Sequence, residues 1–255
     1  NEDIYIPPEN WAMGKTIGSF KNHSWQDNWQ AIIEMTVAAH CFSTQGWFEQ
    51  VPSDFVEEAL SCKEDKQSLS WLLDQLYRYQ AKLNDRNCKR WGDKTPLNVN
   101  CMEKILQTFP GGQFIHMLRD GVDVVSSWKK HGYYGDDIFK PAERWISAIE
   151  FVENFRKKYP SKVLEVKYED LVNKTEEETK RVCDFLNIPF SEHILAIEES
   201  SVIEDLKKHS HYKNTLKPVT DNFIGKGRES LSKDELKILG EKINYKLENL
   251  GYSTI

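Results

Sequence analysis

Residues 114–128, Phe114-Ile-His-Met-Leu-Arg-Asp-Gly-Val-Asp-Val-Val-Ser-Ser-Trp128, decide how the rest of the chain is read. The stretch opens on a compact apolar run, Phe114 to Leu118, flanked by Gly111-Gly112 and by Arg119-Asp120. An apolar run bounded by turn formers suits a strand buried in a parallel sheet. Asp120 can then cap a helix from Val122 to Lys130. The strand delivers Arg119 at its C-terminal end, the side on which open α/β sheets bind ligands. Ser127 follows eight residues later, a little over two helical turns along. A bidentate guanidinium and a short hydroxyl placed this way suit a phosphate group. The competing structural reading pairs Arg119 with Asp120 or Asp123 and packs Ser127 against the sheet.

The same alternation extends outward from this stretch. Toward the C-terminus, Trp145, Ile149, Val152 and Phe155 put one apolar face on a helix over 142–158. Val163 to Tyr168 then alternates as a strand, and residues 175–186 read as another helix. A last helix is expected to be capped at Ser232. Toward the N-terminus, Val99 to Phe109 reads as a helix, and Cys88-Lys-Arg-Trp91-Gly92 as a short strand entering a polar turn. Helical periodicity also marks Ser68 to Leu83, Ser53 to Ala59 with Ser53 as N-cap, and Trp25 to His40. These helices are expected to cap an acceptor site, with help from His209 to Val219. Asp3-Ile4-Tyr5-Ile6-Pro7-Pro8 reads as a strand broken at two prolines. Strand–helix alternation predicts an α/β fold, a parallel sheet with crossover helices, in one domain spanning 1–255. No internal repeat or low-complexity linker is present.

Composition narrows the function classes. Hydrophobic residues make up 39% of 255, enough for a sizeable core. A net charge of −6 argues against a nucleic-acid partner, although a local basic cluster can still hold an anionic cofactor. The five cysteines, Cys41, Cys62, Cys88, Cys101 and Cys183, lack metal-ligand spacing. Reduced thiols are the simple reading, with one or two disulfides left open. No apolar run approaches the roughly 18–20 residues that span a bilayer. The sequons at Asn22 and Asn173 carry little weight, and the eight tryptophans, Trp11, Trp25, Trp29 and Trp47 among them, are read first as core anchors.

Arg119 with Ser127, Trp91-Gly-Asp-Lys-Thr-Pro96, Val166-Lys-Tyr-Glu-Asp-Leu171, Cys183-Asp-Phe-Leu186, and Lys217-Pro-Val through Gly225-Lys-Gly-Arg228 form an ordered set. That set, which covers most of the chain, resembles the sulfotransferases that use 3′-phosphoadenosine-5′-phosphosulfate (PAPS). Within that family it is most similar to the tyrosylprotein sulfotransferases and related bacterial enzymes. The resemblance implies a three-layer α/β sandwich with a central parallel sheet of the P-loop nucleotide-binding type, plus the helical cap. It implies in-line transfer of a sulfuryl group to an acceptor hydroxyl, with PAPS as co-substrate, PAP as product and no metal. Acceptors compatible with it are a small molecule, a glycan, a lipid or a peptide. A homodimer and a cytoplasmic location are compatible too, and an upstream segment could instead supply a Golgi anchor.

Site residues follow from the same resemblance. Glu9, in Ile4-Tyr-Ile-Pro-Pro-Glu9, falls at the catalytic base, where a carboxylate takes the acceptor's proton. His116 and His131 are the rival bases. Lys94 falls near the transferring group, where an ammonium offsets charge building on oxygen. Arg119, Ser127 and Lys226 would hold the 3′-phosphate, with Arg228 adding charge, and Tyr168 would lie by the adenosine. Gly225 and Gly227 would let backbone approach the phosphate. The bland counterparts are a surface glutamate at Glu9, a solvated Asp93–Lys94 turn, a core tyrosine at Tyr168 and an ordinary turn around Lys226. One family element has no counterpart: the Arg-Ser-Gly-Thr-like strand–loop–helix that cradles the 5′-phosphosulfate at a helix N-terminus. Gly14-Lys15-Thr16 lacks the strand and glycine spacing to replace it. A unit of roughly thirty residues is therefore expected upstream of Asn1. Two alternatives remain: a non-catalytic sulfotransferase-like binding protein, and a P-loop kinase-type phosphotransferase, for which neither Walker loop nor magnesium carboxylate is evident.

Overall fold

The computed structural model describes residues 4–20, 28–43, 47–48, 50–195 and 219–255. Trp25, the sequon at Asn22, Asp3, Lys217 and most of the proposed acceptor segment from His209 lie outside them. The chain divides into two compact units, Asn1–Gly112 and Gln113–Ile255.

The first unit is mainly helical. Its strand β1 (Ile4–Tyr5) pairs in parallel with β2 (Arg90–Trp91), Ile4 opposite Arg90 and Tyr5 opposite Trp91. Helices α1 (Ala12–Ser19), α2 (Trp29–Cys41), α3 (Ser53–Leu60), α4 (Leu69–Leu83) and α5 (Met102–Thr108) accompany this pair. A 3₁₀ turn over Pro96–Cys101 precedes α5, so the expected helix from Val99 starts later than its periodicity suggests. The core is built from Ile32, Ile33 and Val37 of α2 and from Leu72, Leu73, Leu76 and Tyr77 of α4, all buried. Ser68 caps α4 by accepting the N–H of Trp71 at 3.2 Å. Ser53 does not cap α3: Pro52 holds the cap position, and Ser53 is already helical. Gly14 and Thr16 lie inside α1, where a Cβ on Gly14 would stand 2.8 Å from the Cys101 sulfur. Gly14-Lys15-Thr16 is therefore a packed helical turn.

In the second unit, β3 (Phe114–Leu118) pairs in parallel with β4 (Val163–Lys167), Phe114 opposite Val163 and Leu118 opposite Lys167. Helices α6 (Gly121–Lys130), α7 (Phe139–Lys158), α8 (Tyr168–Asn173), α9 (Thr175–Leu186), α10 (Lys226–Ser230) and α11 (Lys233–Asn249) complete it. Leu118, Val122, Val125, Trp145, Ile149, Leu239, Ile243 and Leu247 share one buried core cluster. Thus α6, α7 and α11 pack around the end of β3. The other side of β3 departs from the expected fully buried strand, because Ile115 and Met117 remain 40% and 49% exposed. The fold is α/β with parallel pairing. Among the described residues the strands form two two-stranded sheets, not one central sheet.

All five cysteines are free thiols. Among the described residues no helix is long and apolar enough to cross a membrane.

Candidate active site

In the first unit the fold brings Glu9 and Lys94 together from positions 85 residues apart. The Lys94 ammonium bonds one carboxylate oxygen, Oε2, as an ion pair. The Trp11 indole N–H donates to the other, Oε1, at 2.6 Å. Glu9 is largely covered, its side chain 13% exposed, whereas Lys94 remains 55% exposed.

Both segments are held at their flanks. Before Glu9, the Pro8 carbonyl accepts the Trp47 indole N–H at 2.9 Å. After it, buried Asn10 accepts the Ala12 N–H at 2.9 Å and donates to the His40 carbonyl at 3.0 Å. Thr95 donates to the Asn10 carbonyl at 3.1 Å and so ties the two segments together. Asp93 anchors the lysine's turn: its carboxylate accepts the Tyr77 hydroxyl at 2.6 Å and the Asn98 amide. Tyr77 is itself fixed by stacking on Trp91, with ring centroids 4.1 Å apart. Burial pushes the Asp93 carboxyl above the usual carboxylate range, against the pull of Tyr77, Thr95 and Asn98, and the nearby Glu9 charge adds to the rise. The alternative of a solvated Asp93–Lys94 turn is therefore not met at Asp93, whose carboxylate is largely covered, while Lys94 stays exposed.

A second cluster lies at the C-terminal ends of β3 and β4. The Arg119 guanidinium sits over the Tyr168 ring, 4.6 Å from its centroid. Its Nη2 donates to the Phe223 carbonyl at 2.6 Å and lies 3.6 Å from Asp123 Oδ2, while its Nε–H is buried without a hydrogen-bond acceptor. Tyr168 begins α8 instead of ending the strand. Asp120 donates its backbone N–H to Glu169 at 3.0 Å and so stitches the two strand ends together. The same Asp120 caps α6 by accepting the Val122 N–H at 2.8 Å. Ser127 is half-buried on α6, and its neighbour Ser126 makes the inter-segment bond, to Ser230 at 2.6 Å.

The late basic segment reaches this cluster. Arg228 Nη1 bonds Asp120 Oδ2 at 2.8 Å, and Nη2 bonds the Ser253 carbonyl, so this guanidinium serves the chain itself. Lys226 is 56% exposed and donates to Glu229 at 2.6 Å. The N–H groups of Gly225 and Gly227 point to Asp123, at 2.9 and 2.7 Å. Of the rival bases, His116 lies 3.2 Å from Glu165, and His131 is exposed at the end of α6. Among the described residues no group of three or more His, Cys, Asp or Glu could hold a metal ion.

Sequence reasoning named Glu9, Lys94, Arg119, Ser127, Tyr168, Lys226 and Arg228. It missed the Trp11 bond to Glu9, the bond from buried Tyr77 to Asp93 and the glycine amides on Asp123. Only Asp93 left a signal, as a carboxylate set between glycine and lysine in a turn.

Known proteins resemble this chain in sequence and in fold. A 25% identical relative over 220 residues is an uncharacterized protein of Aquifex aeolicus, matching 75% of this chain and 28% of the relative. Two relatives carry the name putative protein-tyrosine sulfotransferase. The Caenorhabditis elegans protein is 26% identical across 50% of each chain, and the Caenorhabditis briggsae protein is 27% identical across 73% of this chain and 68% of its own. The chain thus spans about a quarter and a half, respectively, of the lengths of the Aquifex and C. elegans relatives. In fold, the chain is similar over its full length to a sulfotransferase domain from the curacin biosynthetic pathway, with a TM-score of 0.62, 15% identity and 91% of that chain covered. A sulfotransferase domain from the Synechococcus PCC 7002 olefin synthase gives a TM-score of 0.60, again at 15% identity, with 88% of that chain covered. Residues 1–192 match the sequence profile of the sulfotransferase family, and the chain belongs to that family.

Proposed function

We propose that the protein transfers a sulfuryl group from PAPS to an acceptor hydroxyl by in-line displacement. The observation that carries this reading is the Glu9–Lys94 pair, a carboxylate and an ammonium assembled by the fold with a second donor to the carboxylate from Trp11. In the proposed step the acceptor oxygen attacks sulfur while its proton passes to Glu9. The bond from sulfur to the nucleotide's phosphate oxygen breaks, and PAP departs. Lys94 offsets the charge that collects on the sulfuryl and bridging oxygens. Arg119, Ser127, Tyr168 and Lys226 are proposed to hold the adenosine and its 3′-phosphate, with Arg228 keeping Lys226's segment in place through Asp120. The buried Arg119 Nε–H, without an acceptor of its own, supports an anion at that position.

The names of the relatives make a peptide tyrosine the first acceptor to try, ahead of phenols and sugars. Transfer of labelled sulfate from PAPS to each acceptor tests the activity, and calorimetry with PAP and with ATP tests the nucleotide. Glu9→Gln should keep PAP affinity within about two-fold and lower turnover by roughly 10²–10⁴, the usual worth of general-base catalysis. A Glu9→Gln variant with normal turnover would remove Glu9 from the mechanism.

A further inference from the structure

We propose that Asp123 is the positioning residue that seats the basic segment Phe223–Ser230 on α6 and thereby places Lys226 and Arg119 for the nucleotide. This rests on the nucleotide-binding role assigned above. Asp120, Asp123 and Ser126 recur every third residue and so share one face of α6. Each holds a different part of the segment: Arg228, the Gly225–Gly227 turn, and Ser230. Asp123 is the centre of the stripe. Its side chain is 1% exposed, and its two oxygens accept the N–H of Gly225 at 2.9 Å and of Gly227 at 2.7 Å.

A carboxylate so deeply covered needs compensation, and two backbone donors with a guanidinium at 3.6 Å provide it. The glycine amides, which the sequence alone suggests for a phosphate, are thus occupied by an anion of the chain. Gly227 is required by closeness, since a Cβ there would lie 2.4 Å from the Val122 carbonyl oxygen. Gly225 supplies the left-handed turn, with φ +77°. One carboxylate therefore fixes both a loop and an arginine. Arg119 Nη2 donates to the Phe223 carbonyl and stands 3.6 Å from Asp123 Oδ2 as an ion pair, so the position of the segment and the direction of the guanidinium are set together.

Asp123→Asn tests this, because an amide can accept one glycine N–H but turns a donor toward the other. The KM for PAPS and the Kd for PAP should each rise about ten-fold or more, the scale of one charged hydrogen bond lost. Turnover at saturating PAPS and the KM for acceptor should stay within about two-fold, a split that a general loss of folded protein would not produce. Amide hydrogen exchange at Gly225 and Gly227 should accelerate in the same variant. Gly227→Ala reaches the same seat without touching a charge and should raise the PAP Kd as well. That variant also serves if Asp123→Asn fails to fold. Normal PAP binding by both variants, with binding by wild type intact, would overturn the positioning role alone. Failure of wild type to bind PAP would instead overturn the nucleotide reading on which it rests.

Discussion

A carboxylate proposed to collect a proton, as Glu9 is, needs one lone pair free and the rest of the group fixed. At Glu9, Lys94 takes one oxygen and the Trp11 indole N–H takes the other, at 2.6 Å. Each oxygen still has a second lone pair to offer. Trp11→Phe keeps the ring and deletes the donor, so Glu9 loses one of its two fixed directions. Turnover should fall about ten-fold, matching a charged hydrogen bond of roughly 1.5 kcal/mol, while PAP affinity is unchanged. Steady-state kinetics beside calorimetry checks this, and unchanged turnover would make the indole a bystander. Glu9 and Lys94 could be named beforehand only through motif resemblance, because no local pattern relates positions 85 residues apart. Trp11 reads first as a core anchor, though it is exposed, and nothing in the sequence ties Tyr77 to this site. Whether an indole or phenol finds a carboxylate depends on chain segments that meet only in the folded state.

Helix ends were more legible, because capping is local chemistry. Asp120 and Ser232 cap as their positions suggest, and Ser68, which reads as the first residue of its helix, is its cap. Ser53 misled because Pro52 takes the cap position itself, leaving the serine inside the first turn. At α11 the cap is reciprocal: Ser232 accepts the Glu235 N–H, and the Glu235 carboxylate accepts the Ser232 N–H at 2.9 Å. Lys129 bonds the same carboxylate, and with Ser232 it holds the Glu235 pKa down to about 2. Ser232→Ala should cost about 1 kcal/mol, the usual worth of an N-cap hydroxyl. Urea unfolding would show it as a lower midpoint with an unchanged slope. The strand at Phe114–Leu118 was legible in position and direction. Its cover was not, since an apolar run cannot report how many neighbours its sheet will have. Ile115 and Met117 show the difference.

For the molecule as a whole, alternation of strands and helices gave the α/β class. Division into two units left no mark in composition, since no linker separates Gly112 from Gln113. Acid stability is a whole-molecule property that one residue of the first unit should dominate. His40 is fully buried, with Nδ1 2.8 Å from the Thr36 carbonyl and Nε2 without a partner. The rings of Trp47 and Tyr77 lie 5.0 and 6.2 Å away. Burial drives its pKa down to about 4, with the Thr36 carbonyl pulling weakly upward. In the unfolded chain the same imidazole titrates near ~6.5. Between those values the unfolded state binds a proton that the native state refuses, so stability falls as pH drops through that window. The slope is about 1.4 kcal/mol per pH unit, and the loss reaches roughly 3 kcal/mol near pH 4. Asp93 acts in the opposite sense, because its raised pKa lets the native state take a proton first. Glu165 and Glu235, held low by His116 and Lys129, lose their contributions only below the ordinary carboxylate range of about 4.3. Among the described residues, the fall from pH ~6.5 to ~5 is therefore expected from His40. Urea midpoints for wild type should drop steadily across that interval, and those of His40→Gln should stay nearly level. Parallel declines in the two proteins would move the acid sensitivity to another group.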